Sequence, residues 1–152
     1  MSYFSSLRTS SSGLTAQRLR MDLISNNIAN AETTRTPEGG PYRRQQVLFT
    51  PKVAAKLPIG SFMRGGVAAI ASTSGLIEGV QPLKIIQDES PLRQVYDPGH
   101  PDANPNGFVE YPNVNVVTEM TDMLSATRSY EANVTVLNAA KQMAQRALEI
   151  GR

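Results

Sequence analysis

The chain has no cysteine and no tryptophan among its 152 residues. The first absence excludes disulfides, thiolate metal sites and cysteine nucleophiles together. The second removes the largest core anchor. Apolar residues make up 40% and charged residues 18%, both below the usual globular shares of roughly 45–50% and 25%. A modest core is affordable, but not one that buries the whole chain. Long apolar runs are missing too: the longest is Val67–Ala71, against ~20 residues for a membrane span. The segment Met1–Arg8 lacks a charged stretch followed by an apolar one, so no cleavable secretory signal is expected. Net charge is 15 − 13 = +2. Without a clustered basic face, nucleic acid is not an expected partner.

Proline is absent from both ends. All ten prolines fall between Pro37 and Pro112, with nine of the eleven glycines. Proline removes a backbone donor and blocks a helix interior, so only the ends are free to form long helices. Residues 3–30 read as the first. Leu7, Leu14, Met21 and Ile28 recur every seven residues, and Ile24 shares their face. Ala16, Leu19 and Leu23 form a second stripe, and two stripes imply two packing partners. Ser25, Asn26, Asn27 and Asn30 compete for backbone groups, so the helix is expected to stop near Asn30.

The second helix is expected from about Asn115, a candidate N-cap, to Ile150. Met120, Met123, Thr127, Tyr130, Val134, Leu137, Ala144 and Leu148 follow three–four spacing, which Lys141 interrupts. At ~1.5 Å per residue these helices reach roughly 40 and 50 Å. Rods of that length must pair with each other, with copies or with other proteins.

Between the helices, residues 42–52 and 108–111 read as strands. Residues 83–87 and 92–96 read as a hairpin around the turn Asp88-Glu89-Ser90-Pro91. Residues 56–75, rich in Gly, Ala and Ser, read as a mobile loop. The expected class is α+β: two long terminal helices in a coiled-coil-like pair, with a small β-rich, loop-rich centre. The expected divisions are 1–32, 33–112 and 113–152.

Chemistry is poorly represented. His100 is the only histidine. With Asp97 and Asp102 it makes a poor metal site, so it reads as a structural turn residue. No nucleophile-elbow or phosphate-loop spacing occurs. A glycosidase pair such as Glu89 with Glu110 has nothing to support it. Neither an enzyme nor a cofactor or metal is expected. Arg43-Arg44 is balanced between a contact to acidic groups and a solvated pair.

Several segments resemble a known family. Ser25-Asn26-Asn27-Ile28-Ala29-Asn30-Ala31-Glu32-Thr33 is similar to the signature closing the N-terminal helix of bacterial flagellar rod and hook proteins. Thr34–Arg44, Val95–Pro101, Gly107–Asn115, Ser129–Asn133 and Ala139–Ala144 extend the resemblance over both ends and most of the centre, and residues 57–75 depart from it. The resemblance implies a subunit whose terminal helices form an inner layer around a channel, with the β-rich part outside. Its implied partners are other rod proteins and copies of itself in a tube crossing the periplasm, reached through the flagellar type III export apparatus. No membrane insertion is implied.

The expected assembly interface combines Leu7, Leu14, Met21, Ile24 and Ile28 with Asn26, Asn27 and Asn30 of the signature. On the second helix it takes Met120, Leu124, Tyr130, Val134, Leu137 and Leu148. The terminal segments are expected to be largely disordered in the free subunit and to fold on incorporation. The alternative is a cytosolic helical adaptor or secretion chaperone.

Overall fold

The computed structural model describes residues 3–37, 39–53 and 77–150. It is α+β. Helix α1 spans Tyr3–Ala29 and helix α2 spans Val116–Ile150. Among the described residues four strands lie between them: β1 Gln45–Val53, β2 Ile77–Gln87, β3 Arg93–Tyr96 and β4 Phe108–Tyr111. The loop expected over residues 56–75 lies outside the described residues.

Local chemistry explains the helix ends. At the end of α1, the Asn26 carbonyl accepts the Asn30 amide at 3.1 Å and the Asn30 side chain at 2.9 Å. Beyond it the ladder tightens: the Ala31 amide donates to the Ile28 carbonyl and the Thr33 amide to the Asn30 carbonyl, both at 3.2 Å and only three residues back. At the start of α2, Asn115 Oδ1 accepts from the Val117 and Thr118 amides at 3.0 and 3.3 Å. This satisfies donors that have no partner inside the helix.

The two helices run antiparallel. Gly13 faces the Asn133 amide group, Met21 meets Thr127 at 3.6 Å, and Asn27 meets Glu119 at 3.0 Å. The most buried row of α2 recurs every seven residues: Glu119, Ala126 and Ala140 are buried, and Asn133 is half-buried. Small side chains in this row let the helices approach closely. Opposite lie buried Ser10 and Ile24, with Gln17 half-buried. The seam is therefore small and polar rather than leucine-rich.

Each of the two stripes of α1 meets a partner inside the chain along part of its length. One faces α2. The other faces the β1–β2 sheet, where Ala16 and Leu23 are buried and the Arg20 guanidinium lies 5.4 Å from the Phe49 ring centre. Strand β2 comes close enough for the Val80 amide to donate to Ser12 Oγ at 3.1 Å. Gly79 makes that possible: its φ is +116°, and a Cβ there would collide with Ser12 Oγ.

The strands form two separate antiparallel pairs, β1 with β2 and β3 with β4. The expected hairpin of 83–87 with 92–96 does not form. Asp88 instead bends the chain from one sheet to the other. Its carboxylate accepts the Ser90 amide and hydroxyl, and its backbone amide donates to the Arg44 carbonyl at 2.8 Å. Asn113 Nδ2 donates to the Asp88 and Ser90 carbonyls. With this turn tied to the lead-ins of β1 and α2, residues 84–87 pair with Gln45–Leu48 and residues 93–96 pair with Phe108–Tyr111.

Candidate assembly interface

The best-ordered polar chemistry sits where α1 ends and α2 begins. Asn27 is 1% exposed, and both ends of its amide are fully used. Its Nδ2 donates to Gln45 O at 2.9 Å and to Glu119 Oε2 at 3.0 Å. Its Oδ1 accepts from Tyr42 Oη and from the Gln45 amide, both at 2.9 Å. One side chain thus joins α1, β1 and α2.

Glu119 is also 1% exposed. Its Oε1 accepts from Arg44 Nε at 2.6 Å, and Arg44 reaches Asp122 at 3.5 Å. The Glu119 carboxylate lies in the first turn of α2, near the positive end of the helix dipole. The Arg44 amide donates to Asn113 Oδ1 at 3.0 Å. A buried carboxylate is tolerable only when paired and hydrogen-bonded, and both oxygens of Glu119 are. This cluster clamps the fold and leaves no free acid or base. Tyr42 feels it: burial and then the Glu119 charge raise its phenol above the ordinary tyrosine range.

The expected interface residues separate into three groups. Ile24 and Asn27 are buried within the chain. Leu7, Leu14, Met21, Ile28, Asn30, Tyr130, Val134 and Leu137 are half-buried. Asn26 is exposed, and so are Met120 at 57%, Leu124 at 61% and Leu148 at 76%. Val117, 74% exposed, stands three and seven residues before Met120 and Leu124 and extends their strip. Val136 and Met143, seven apart, form another exposed pair.

Sequence reasoning missed Val117, Val136 and Met143, because an apolar row facing away from the core carries no signal of its own. It also missed the roles of Tyr42, Asn113 and Glu119 in the clamp. For Arg44 the structure selects the acidic contact. His100 does hold a turn: its Nδ1 accepts the Asp102 amide at 3.1 Å. Among the described residues no group of three or more potential metal ligands occurs. None of the described helices is long and apolar enough to cross a membrane.

Two family models match the segments that carry Asn27 and Glu119 and most of the two helices. The "Flagella basal body rod protein" model covers residues 7–35, and the "Flagellar basal body rod FlgEFG protein C-terminal" model covers residues 106–150. Over 99% of its length the chain is 50% identical to flagellar basal-body rod protein FlgC of Borreliella burgdorferi, covering 98% of that protein. The chain belongs to the FlgC family of flagellar basal-body rod proteins. It is 46% identical to the Bacillus subtilis FlgC over the full length of both. The Salmonella typhimurium FlgC is 38% identical over 93% of this chain and 92% of its own. As a FlgC-family member the chain is a structural rod subunit and not an enzyme. The alternative of a cytosolic adaptor or secretion chaperone has no support in these relatives.

Proposed function

We propose that this FlgC-family chain polymerises through its antiparallel helix pair, with copies of itself and other rod proteins, into a hollow shaft that transmits torque across the periplasm. It would reach that site through the flagellar type III export apparatus, with no membrane-inserted stage. The observation that carries this reading is the exposed strip Val117, Met120 and Leu124, with Leu148 further along α2. One face of α2 is spent on α1. The strip lies off that face and is left for a neighbour, where burial gains roughly 25 cal/mol per Å² before ordering costs. The half-buried Leu7, Leu14, Met21, Ile28, Tyr130, Val134 and Leu137 complete the proposed interface, with Asn26 and Asn30 at the rim.

The clamp sets which parts of the pair need help. Among the described residues the largest fully buried side chains, Glu119, Val109 and Asn27, include two at the clamp. Towards the far ends, burial rests on Ser10 and Ala140. Those outer turns gain their full order on incorporation. Electron microscopy of purified basal bodies tests the reading. The expected result is the subunit in the rod wall with both helices on the channel side; finding it outside the rod overturns the proposal.

A further inference from the structure

The β3–β4 hairpin takes no part in the helix pair. Neither strand packs on a helix of the described chain. It nevertheless presents a built surface. Tyr96 pairs with Phe108 across the strands. Their ring centres lie 5.3 Å apart with planes at 67°, an edge-to-face arrangement favoured by ring quadrupoles. Tyr96 remains 64% exposed.

The ring is held in place from below. Gly107 has φ +80°, and a Cβ there would come within 2.8 Å of the Tyr96 ring. Only glycine gives both that backbone and that clearance. Around it the loop is closed by Asp97 N to Gly107 O at 2.9 Å, Gly107 N to Asn104 O at 2.7 Å and Asn104 N to Phe108 O at 2.8 Å.

Beside the ring is a cleft of about 390 Å³, lined by Tyr96, Pro98, His100, Asn104, Pro105 and Asn106 among others. Among the described residues no lysine, arginine, aspartate or glutamate lines it. His100 Nδ1 accepts the Asp102 amide, which puts the ring proton on Nε2 and makes that nitrogen a donor. The exposed Asn104 and Asn106 amides carry both donors and acceptors.

Phosphates and acidic peptides are recognised by cationic side chains, which this cleft lacks. Proline-rich peptides take grooves lined by several aromatic rings, whereas Phe108, though 41% exposed, does not line this cleft, and Tyr96 stands in it beside the protein's own Pro98 and Pro105. An exposed aromatic face edged by uncharged amides suits a ligand that is apolar on one face and polar at its rim. A pyranose ring has that shape: axial C–H groups on a face and hydroxyls around the edge. We propose that the β3–β4 hairpin binds a neutral oligosaccharide chain, stacking one sugar on Tyr96 and hydrogen-bonding its edge to His100, Asn104 and Asn106. The site is separate from the helix seam, so it stands or falls independently of the assembly reading.

The test is amide NMR on the full chain, titrated with the β-1,4-linked tetramer of N-acetylglucosamine and, separately, with a proline-rich decapeptide. The expected result is saturable shifts in residues 95–108 with the tetramer. They should be lost in Tyr96→Ala, kept in Tyr96→Phe, and weakened in Gly107→Ala and in Asn106→Ala. Unchanged α1 and α2 resonances show that each variant still folds. No response to the tetramer, shifts that survive Tyr96→Ala, or binding of the peptide in its place overturns the proposal.

Discussion

Asn27 Nδ2 donates to Glu119 Oε2 at 3.0 Å, joining residues 92 positions apart. Both side chains are 1% exposed. Each is held on its other atoms by β1 or by the residues just before it: Asn27 by Gln45 and Tyr42, Glu119 by Arg44. The pair fixes where the two helices meet, and so the register of the whole antiparallel seam.

Asn27→Asp keeps the shape but removes the two donors and sets a carboxylate against Glu119. A stranded buried polar group costs about 1–3 kcal/mol, and a buried like charge costs more. The urea midpoint should fall clearly. Asn26→Asp, exposed on the neighbouring helix position, should stay within about 0.5 kcal/mol of the parent. Equal midpoints for the two variants would remove the clamp from the stability account.

Gln17 presents a different case. Its Oε1 is buried and has no hydrogen-bond partner. Replacing an unsatisfied polar group by an apolar one of similar volume removes a desolvation penalty of about 1–3 kcal/mol. Gln17→Leu should therefore raise the thermal midpoint of the free subunit by a few degrees. A lower midpoint would show that this oxygen has a partner after all.

Leu124→Asp and Leu137→Asp separate assembly from folding. Leu124 is 61% exposed, so its variant should fold normally, be exported, and fail to complete the rod. Leu137 is half-buried, so its variant should also loosen the helix pair, visible as lost helical circular dichroism in the subunit. Normal motility of the Leu124→Asp strain would take the Val117–Leu124 strip out of the proposed interface.

Hydrogen exchange on the free subunit tests how order is distributed. Amides of residues 20–28 and 119–128, at the clamp, should exchange slowly. Those of residues 7–13 and 137–146 should exchange quickly, since their seam is small and polar. Uniform protection along both helices would defeat the proposal that the outer turns gain order on incorporation.

Tyr42 supplies a pH signature. Burial, and secondarily the Glu119 charge, raise its folded-state value above the ordinary one. The unfolded chain loses this proton first, near pH 10. The phenol's contribution is then fully present below about pH 10 and is lost as pH rises through the folded value. Tyrosinate absorbance should show a late-titrating group that Tyr42→Phe abolishes. Removing Glu119's charge with Glu119→Gln should shift that group earlier.

The helices were legible because their signals are local. A proline-free stretch, a cluster of asparagines at the end of α1 and the Asn115 cap act on the backbone within a turn or two. The strand at Phe108–Tyr111 was legible for the same reason, with Pro112 just beyond it. Strand partners were not. Residues 83–87 and 92–96 look like a hairpin to any local rule, because the turn between them has ordinary turn chemistry. What breaks that pairing is Asn113 and Arg44 holding Asp88 from outside the turn, a contact whose gain depends on closing chain segments of 25 and 44 residues.

The sequence by itself determined two long helices, a proline-punctuated β centre, the absence of catalytic spacing and the resemblance to flagellar rod proteins. Tertiary structure alone decided that the signature at the end of α1 contains a buried asparagine gripping Glu119, and that the α2 seam is alanine and asparagine rather than leucine. It also decided that Val117, Met120 and Leu124 are left facing outward. Backbone preference is set by neighbours in the chain. Which face of a helix is spent, and which remains for a partner, depends on what the rest of the chain places against it.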